Sequence, residues 1–496
     1  MKNIKLNLFL LLTGMFAVSC NDAIDITQDG ELYPETTFET VQDLQTGLYG
    51  VYASVPAEGA IYFTSVFTDE TAIGRSNGGQ GISYLQHIVN AQTSPSGIWS
   101  SNYRAINLAN RLIEAADGVT VEPGEEEAFN HIVAQAYALR GLCHLQLMSY
   151  YATDMKDNNA LGVIKLDFIP SITDFLPRNT VGEVFELIES DFNYAEANLS
   201  AAETNRGLFT KSAVTALKAR MAAYRGNYTQ AATYANTVIT TSGVNLATPT
   251  VYKNMFVDLE DGETLFKLIR NATSVSGANF YQVWSSVNAS PTGSPFLEVN
   301  RALFNLVDIP TDVRRGVLTY TSVDVTGAAV EILPDYTSVS FTDYFNQDVL
   351  PVYKYARSKG IHLLGDIKVV RLSEMYLIRA ESKVTTDLAG AAADVYAVRV
   401  ARNPAATMPV YSNQQEAWAD IMKERRVELA FEGHRYIDLK RLGNLAGVQI
   451  DRDPRDSSEQ GYPSTLSNND YRYTLPIPLA EMDVNPNIQQ NPGYSE

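Results

Sequence analysis

The sequence predicts a mainly α-helical fold of stacked helix pairs, joined to a loop-rich half that contains a few short strands. Two observations support this prediction. Residues 210–241 place apolar side chains at helical spacing on two segments, which are separated by a turn at Gly226-Asn227. Between residues 244 and 366 the pattern changes, because Gly, Pro, Ser, Thr and Asn interrupt short runs of β-forming residues. Stacked helix pairs cover each other's apolar faces, so the chain should form a curved helical scaffold.

The two helices of residues 210–241 resemble a tetratricopeptide pair, because small residues face larger ones and let the helices approach closely. Apolar residues at helical spacing also predict helices at 40–53 and around 103–113. Residues 128–151 are apolar nearly all round, so that helix should be central. Thr180 is the expected N-cap of the helix that follows it. The further predicted pairs are 128–151 with 181–199, 371–385 with 388–402, and 414–431 with 434–442.

Two stretches of the sequence lack helical periodicity. Residues 56–98 are irregular and rich in Gly, Ser, Asn and aromatic residues. A loop of that length inside a compact domain is usually functional or disordered. Residues 244–366 should form long loops with short helices and a few strands, inserted between helical pairs. The β-type runs in this second stretch are 264–269, 316–323 and 349–355.

The N-terminus has the pattern of an exported and lipid-anchored protein. Lys2 and Lys5 precede an uncharged, mainly apolar run over residues 6–18, which is too short to span a membrane comfortably. Ser19 is followed by Cys20, and a cysteine at this place resembles a bacterial lipobox. We therefore expect cleavage before Cys20 and lipidation of its sulfur; the alternative is an ordinary signal peptide with a chance cysteine. The predicted organisation is a signal peptide over 1–19, a lipidated tether over 20–40 and a single domain over 41–496, with a helical scaffold at about 41–243 and 367–443 and an insertion at about 244–366.

Arg425 lies on the apolar stripe of the predicted helix 414–431. Burying an unpaired charge is very costly, so an arginine on a core-facing position must be paired and hydrogen-bonded. Gly433 should end this helix and precede a second, short helix that ends at Gly443. We therefore predict a structural ion network that fixes how the two helices meet. Its members are Arg425, Glu428, Glu432, Arg435 and Asp438, and the candidate partners of Arg425 are Glu428, Glu432 and Asp438.

Two groups of motifs stand in order near the end of the chain. The first is Arg425-Arg426-x-Glu428-Leu429, Glu432-Gly433-x-Arg435 and Asp438-Leu439-x-Arg441-x-Gly443. The second is Leu475-Pro476-Ile477-Pro478 with Glu481, Asn485-Pro486-Asn487 and Gln490-Asn491-Pro492-Gly493-Tyr494. With the N-terminus, they resemble the SusD/RagB family of outer-membrane nutrient-binding lipoproteins. The resemblance implies a tetratricopeptide-like half, an irregular half, display on the cell surface and a role in polysaccharide utilisation beside a SusC-type TonB-dependent transporter.

Composition and motifs exclude several classes of function. A net charge of −19 argues against a nucleic-acid partner, which requires a basic face. No metalloprotease, serine-hydrolase or P-loop motif is present, and the five histidines do not pair at metal-ligand spacing. We therefore expect no catalytic residues, no metal and no cofactor. Asp69-Glu70 has the composition of a glycosidase pair, but such adjacency is expected by chance among 57 acidic residues. Cys143 should be a small buried hydrophobe.

A sugar-binding surface is the favoured interpretation. Aromatic rings pack against the C–H faces of sugars, and Asn, Gln, Asp or Arg side chains bond the hydroxyl groups. Tyr62 and Tyr84 flank the glycine-rich residues 67–84, while Tyr281 and Trp284 lie in the irregular half. For each aromatic residue, packing in the core is an equal alternative. The resemblance implies a shallow site built from loops in these two regions, and the candidate ligand-binding residues are Trp284, Tyr281, Tyr62, Tyr84, Arg75 and Asn77.

The sequence thus favours a binding protein over an enzyme. The resemblance implies that it captures an oligosaccharide and passes it to the transporter, with membrane attachment only through the lipid. Peptide capture within the same transport system is the main alternative, because helical scaffolds of this type also bind peptides. A surface glycosidase or peptidase, and an inert partner that contacts only the transporter, are the remaining alternatives.

Overall fold

The computed structural model describes residues 38–74, 77–270, 296–319 and 350–494, without residues 351, 356, 360 and 363. In these ranges the chain forms sixteen α-helices and only a few short strands. The prediction of a mainly α-helical fold with helix pairs and few strands is therefore confirmed. No helix in the described ranges combines the length and apolar character that crossing a membrane requires.

Eight helices lie in the part of the chain before residue 245. They are α1 (Val41–Ser54), α2 (Glu58–Phe67), α3 (Ile82–Leu85), α4 (Ser96–Ala116), α5 (Glu126–Tyr151), α6 (Val181–Asn198), α7 (Lys211–Tyr224) and α8 (Tyr228–Thr241). The others are α9 (Pro249–Met255), α10 (Arg301–Val307), α11 (Arg315–Leu318), α12 (Leu372–Lys383), α13 (Leu388–Arg402), α14 (Gln414–Glu428), α15 (Arg435–Ala446) and α16 (Leu479–Val484). Short 3₁₀ segments occupy Pro454–Asp456, Ser458–Gln460 and Tyr471–Tyr473.

The strands of the described residues form four antiparallel two-stranded sheets. The pairs are β1 (Thr71–Ile73) with β3 (Leu297–Val299), β2 (Thr264–Leu268) with β6 (Ile367–Arg371), β4 (Arg357–Ser358) with β5 (Ile361–His362), and β7 (Ile450–Asp451) with β8 (Thr465–Leu466). Two of these sheets join parts of the chain that are far apart in sequence. They therefore fasten the loop-rich part to the helical scaffold.

The helices pack as the predicted pairs, and one continuous apolar core runs through them. Helix α5 packs against α4 and α6, and most of its side chains are buried, as its apolar composition predicts. Cys143 lies inside this helix as a buried free thiol. Helix α7 packs against α8, which in turn packs against α12 and so links the N-terminal pairs to those that follow.

Thr180 caps α6, as predicted. Its hydroxyl accepts a hydrogen bond from the Glu183 backbone N–H at 3.3 Å, and the Glu183 carboxylate accepts one from the Thr180 backbone N–H at 2.8 Å. Thr40 and Asp43 form the same reciprocal arrangement at the start of α1. Such capping boxes satisfy backbone donors that have no partner inside the helix.

The expectation of an irregular chain over residues 56–98 is wrong in part, because α2 and α3 lie there. Helix α2 is rich in aromatic and β-branched residues, which have low helix propensity and obscure it in the sequence. Seven of its ten residues are buried, including Phe63 and Phe67. Tertiary burial therefore outweighs the local preference of this segment.

Two further expectations are wrong. Helix α15 does not end at Gly443 but continues to Ala446, and Gly447 ends it in the left-handed conformation at φ +65°. Gly443 is needed for packing instead, because a Cβ there would lie 2.5 Å from the Asn468 side chain. The predicted strand 316–323 begins in α11, since a short apolar run does not distinguish a strand from a helix by periodicity. Near residue 350, the described residues form only a single bridge, between Val352 and Thr319.

Candidate functional site

An open pocket of about 400 Å³ brings Tyr62 and Tyr84 together. Tyr62 comes from α2, whose buried face fixes its position, and Tyr84 comes from the short helix α3. We call this the tyrosine pocket. Its lining residues are Tyr62, Gly79, Gly81, Ile82, Ser83, Tyr84, Gln92, Thr93 and Ser94.

The two tyrosine rings meet edge to face. Their centroids are 6.4 Å apart with 69° between the ring planes, and both side chains are partly exposed. Tyr84 also packs edge to face against the buried ring of Phe63, at 5.2 Å, which holds it from behind. Burial raises the pKa of both phenols, to about 12 for Tyr84, where Tyr62 adds to the effect. At neutral pH both phenols therefore keep their protons and can donate hydrogen bonds.

Gly81 allows the loop to close onto Tyr62. It precedes α3 in the left-handed conformation at φ +71°, which other residues adopt with strain. A Cβ at this position would also lie 2.9 Å from the Tyr62 hydroxyl oxygen and from Val66 Cγ1. Both the backbone angle and the lack of space therefore require glycine at one wall of the pocket.

Asn77 lies behind the pocket wall and fastens the loop to a distant strand. Its amide nitrogen donates to the carbonyl oxygens of Gln80 at 2.8 Å and Phe296 at 2.9 Å, and its oxygen accepts from Gly79 N–H at 3.0 Å. The side chain is only 4% exposed. Asn77 is a predicted ligand contact, whereas this geometry assigns it to shaping the loop.

We call the chain between β1 and α3 the pocket loop. It forms one structural unit with β3. Strand β1 leads into the loop and pairs with β3, and Gly74 N–H donates to Phe296 carbonyl at 2.9 Å. Phe296 directly follows the segment 271–295, which contains the predicted ligand residues Tyr281 and Trp284. These two residues, Arg75 and Cys20 lie outside the described residues. The two regions are joined by the pairing of β1 with β3, whose partners are 224 to 228 residues apart, and by the Asn77–Phe296 hydrogen bond, which spans 219 residues. A local sequence motif does not predict contacts over such separations.

The five predicted network residues are all buried and take part in ion pairs. Arg425 Nε donates to Asp438 at 2.7 Å. Glu428 and Glu432 do not accept from Arg425; they pair with Arg371, whose Nη1 lies 2.7 Å from Glu428 and whose Nε lies 2.8 Å from Glu432. Burial alone would raise the pKa of Glu428, but the neighbouring guanidiniums hold it well below its usual range. The two glutamates are therefore ionised and paired inside the protein.

Most partners of this network come from other elements. Arg402, the last residue of α13, donates to Glu428 at 2.9 Å and to Glu263 at 2.6 Å. The separations along the chain are 26 and 139 residues, so a local sequence pattern does not identify these partners. The members of the ion network that the sequence does not predict are Asp69, Glu263, Arg314, Lys354, Arg371, Glu381, Arg402 and Arg441.

The ion network also holds the residues that precede β1, the strand that leads to the tyrosine pocket. Arg435 Nε and Nη2 donate to the two carboxylate oxygens of Asp69 at 2.8 and 2.9 Å, and Arg426 Nη2 lies 3.3 Å from the same carboxylate. Asn300 N–H, just after β3, donates to the Glu70 carbonyl at 2.9 Å. Residues 69–70 immediately precede β1, so the network fixes the strands on which the pocket loop is built.

The pair Asp69 and Glu70 is structural rather than catalytic. Both side chains are fully buried, so they do not face a space that could hold a glycosidic bond. Within the described ranges, no group of three or more His, Cys, Asp and Glu side chains could hold a metal ion. The arrangement supports binding through aromatic faces and neutral hydrogen-bonding groups.

Comparisons with family models, curated proteins and solved structures all match SusD-like proteins. Residues 325–494 match the model of the SusD family, and residues 24–222 match a family model described as starch-binding associating with outer membrane. The SusD-like protein P2 of Formosa agariphila is 26% identical over 100% of both chains. A SusD superfamily protein from Bacteroides thetaiotaomicron is 25% identical, with a TM-score of 0.75 over 91% of this chain and 100% of its own. A laminarin-binding SusD-like protein, 22% identical, shares the fold with a TM-score of 0.68 over 92% of this chain and 100% of its own.

Proposed function

The chain belongs to the SusD/RagB family of SusD-like carbohydrate-binding proteins, and from this premise we propose that it is a surface-anchored lipoprotein that captures oligosaccharides. It delivers them to a SusC-type TonB-dependent transporter in the outer membrane. The observation that carries the binding role is the tyrosine pocket. It presents two aromatic rings at an angle beside a rim of hydroxyl and amide groups.

The chemistry of the pocket suits a pyranose ring. A sugar offers C–H faces that pack on aromatic rings, and hydroxyl groups that both donate and accept hydrogen bonds. Two rings that meet at an angle contact a sugar from two sides, whereas a flat surface contacts one face. Because Tyr84 is held from behind by Phe63, the pocket is formed before a ligand arrives.

Tyr281, Trp284 and Arg75 are proposed as further ligand contacts. The pairing of β1 with β3 supports this proposal, since it brings Phe296, the residue that follows segment 271–295, to the pocket loop. Arg75 lies in that loop between Gly74 and Asn77. Together with Tyr62 and Tyr84, these side chains would extend the site beyond a single sugar unit.

The membrane attachment and the transporter are the remaining parts of the proposal. Lipidation at Cys20 would hold the protein at the membrane through acyl chains alone, and a polar tether over residues 20–40 would separate the domain from the anchor. The family model that matches residues 24–222 is described as associating with the outer membrane, which supports this location. The resemblance to the family implies a transporter partner, over which this protein would lie.

Calorimetry tests the binding role. The chain is prepared as residues 21–496 and titrated with panels of plant, fungal and host oligosaccharides and one peptide pool, while the same samples are assayed for new reducing ends. We expect saturable heat with one glycan class and no cleavage. Replacing Tyr84 or Tyr62 by alanine should weaken that binding at least tenfold, because each ring loses its contact with the sugar; tenfold corresponds to about 1.4 kcal/mol.

The matched control is Tyr49→Ala. Tyr49 is a tyrosine of α1 that is 56% exposed and does not line the pocket. Its replacement should leave the affinity unchanged. Preference for the peptide pool over every glycan would favour peptide capture, and release of reducing ends would favour a glycosidase.

A further inference from the structure

We infer that the tyrosine pocket selects neutral sugar units and discriminates against carboxylated or sulfated ones. This inference rests on the proposed glycan-binding function and adds the class of substrate. Its basis is the charge of the pocket and the hydrogen bonds already made by the ionisable groups around it.

Nine of the described residues line the tyrosine pocket, and none of these nine is charged. Charged residues make up 19% of the chain, so about two would be expected among nine at random. An anionic sugar that enters a partly desolvated pocket loses hydration, and this loss is recovered only through a cationic partner or several directed donors. A neutral sugar loses much less, because its hydroxyl groups exchange water for the polar rim.

The buried guanidinium of Arg452, which contacts α3, is not available to a ligand. Arg452 lies behind α3 and is 1% exposed. Its Nε donates to the Thr68 carbonyl at 2.8 Å, and its Nη1 donates to the carbonyls of Leu85 and Pro463 at 2.6 and 3.0 Å. Its Nη2 donates to two further carbonyls, those of Val66 and Phe67. A guanidinium has five N–H donors, so all of them are already used.

The other ionisable groups near the pocket loop are also paired or neutral. His87 is buried, and burial lowers its pKa to about 3, so it is uncharged at neutral pH. Arg472 donates to the His87 carbonyl at 3.0 Å and to both oxygens of Asp470 at 2.7 Å. Asp69 is bound by Arg435, as described above. Among the described residues, these groups leave no free positive charge beside the pocket for a carboxylate or sulfate. Arg75 lies outside the described residues and is proposed to contact sugar units beyond the pocket, so the inference concerns the one unit that the pocket holds.

The rim offers neutral groups that match sugar hydroxyls. Ser83 and Gln92 make no side-chain hydrogen bond to any part of the chain that the structure describes, and both are accessible. Thr93 and Ser94 already donate to the carbonyls of Ile88 and Pro476, at 3.4 and 3.0 Å, and retain acceptor capacity. Ser83, Gln92 and the two phenols are thus the groups free to select a neutral sugar by hydrogen bonding.

The test uses matched pairs of oligosaccharides that share a backbone and differ in charge. The pairs are methyl-esterified and de-esterified oligogalacturonides, desulfated and native κ-carrageenan oligosaccharides, and native and chemically sulfated laminarin oligosaccharides. Each is titrated into residues 21–496. For the backbone that binds, we expect the neutral member to bind at least tenfold more tightly than the charged one. We also expect its affinity to change less than twofold between 50 and 500 mM NaCl.

Variants locate the effect in the pocket. Tyr84→Ala should abolish the tighter binding of the neutral member. Gln92→Arg should raise the affinity for the charged member at least threefold, because it adds a cation at an accessible rim position. Gln92→Asn, which keeps the amide and adds no charge, is its control and should not raise the affinity for the charged member.

The outcomes separate this inference from the proposed function. Tighter binding of a charged member that depends on Tyr62 and Tyr84 would overturn the selection for neutral sugars and leave glycan capture intact. Lack of binding by every neutral probe would also overturn it. If no charged glycan bound either, the glycan-binding function would be contradicted as well.

Discussion

Asp69 and Glu70 are adjacent, fully buried carboxyl groups whose pKa values shift in opposite directions. Burial raises the pKa of both, but the guanidiniums of Arg426 and Arg435 reverse the effect at Asp69. Glu70 accepts only from neutral donors, the Ser65 hydroxyl at 2.8 Å and the Phe431 N–H at 3.2 Å. Its pKa therefore rises to about 7. Neighbouring residues of the same chemical class thus differ in charge near neutral pH.

This difference predicts a pH-dependent stability that Glu70→Gln removes. The pKa of Glu70 in the folded state, about 7, lies above the 4.5 of an unperturbed glutamate, so the folded state holds the proton more tightly. The contribution of this group to folding is complete below pH 4.5 and is lost as the pH rises through 7. Between pH 5 and 8, urea unfolding should show that wild type loses about 2 kcal/mol relative to the variant.

Asp69→Asn is the contrasting variant at the neighbouring position. It leaves two buried guanidiniums without their carboxylate, so it should be destabilised at both pH values, by about 3 kcal/mol. If Glu70→Gln and wild type lost the same stability between pH 5 and 8, Glu70 would be ionised in the folded protein throughout that range.

At the scale of elements, the helices with clear local signals are predictable from sequence. The Thr180 cap and the α7–α8 turn depend on residues a few positions apart, and the structure has both. Helix α2 is not predictable in the same way, because its stability comes from burial against distant partners. The sequence is enough to predict that a buried Arg425 needs a partner. It does not predict that Arg371 and Arg402 bind Glu428, because those contacts depend on the tertiary fold.

The position of the pocket loop depends on Asn77. Replacing Asn77 is therefore expected to weaken glycan binding through the loop. Asn77→Ala removes the side-chain donor of the Gln80 carbonyl and leaves the Phe296 carbonyl with Gly74 N–H alone, and a lost buried hydrogen bond of this kind costs about 1–3 kcal/mol. We expect at least fivefold weaker glycan binding, although the side chain lies behind the pocket wall. Hydrogen exchange should show faster exchange of the backbone amides in β1 and β3.

The matched control is Asn205→Ala. Asn205 makes the same local bond, from Gly207 N–H to its side-chain oxygen at 2.9 Å, but it is exposed and makes no clamp to a distant strand. Its replacement should alter neither the glycan affinity nor the exchange of β1. Equal effects from both variants would mean that the loop needs only its local turn.

At the scale of the whole molecule, the C-terminal motifs close the fold onto its beginning. Arg435 reaches Asp69 across 366 residues, and the Ser94 hydroxyl donates to the Pro476 carbonyl at 3.0 Å. The C-terminal motifs therefore hold the residues on which the pocket is built. Contacts between distant parts of the chain are also the reason why the sequence predicts the site only in part. Tyr62 and Tyr84 could be selected as loop-flanking aromatic residues, but the burial of Asn77 depends on β3, which is distant in sequence.

The attachment of the whole molecule to the membrane should depend on one sulfur atom. The chain has two cysteines, and Cys143 is buried in α5, where burial raises the pKa of its thiol to about 12. In cells of the native host, tagged wild type should incorporate labelled palmitate, fractionate with the outer membrane and co-purify with a large β-barrel protein. Cys20→Ala should lose the label and its place in the outer-membrane fraction, because it lacks the sulfur that would carry the acyl chains.

Cys143→Ala is the internal control for this experiment. It replaces a buried thiol by a methyl group of similar polarity, so it should destabilise the fold by only about 1 kcal/mol and keep the label and the membrane attachment. Membrane retention of Cys20→Ala without the label would show that protein contacts alone hold the molecule in place. A labelled, membrane-bound wild type that purified without a β-barrel would keep the anchor and contradict the transporter as a stable partner.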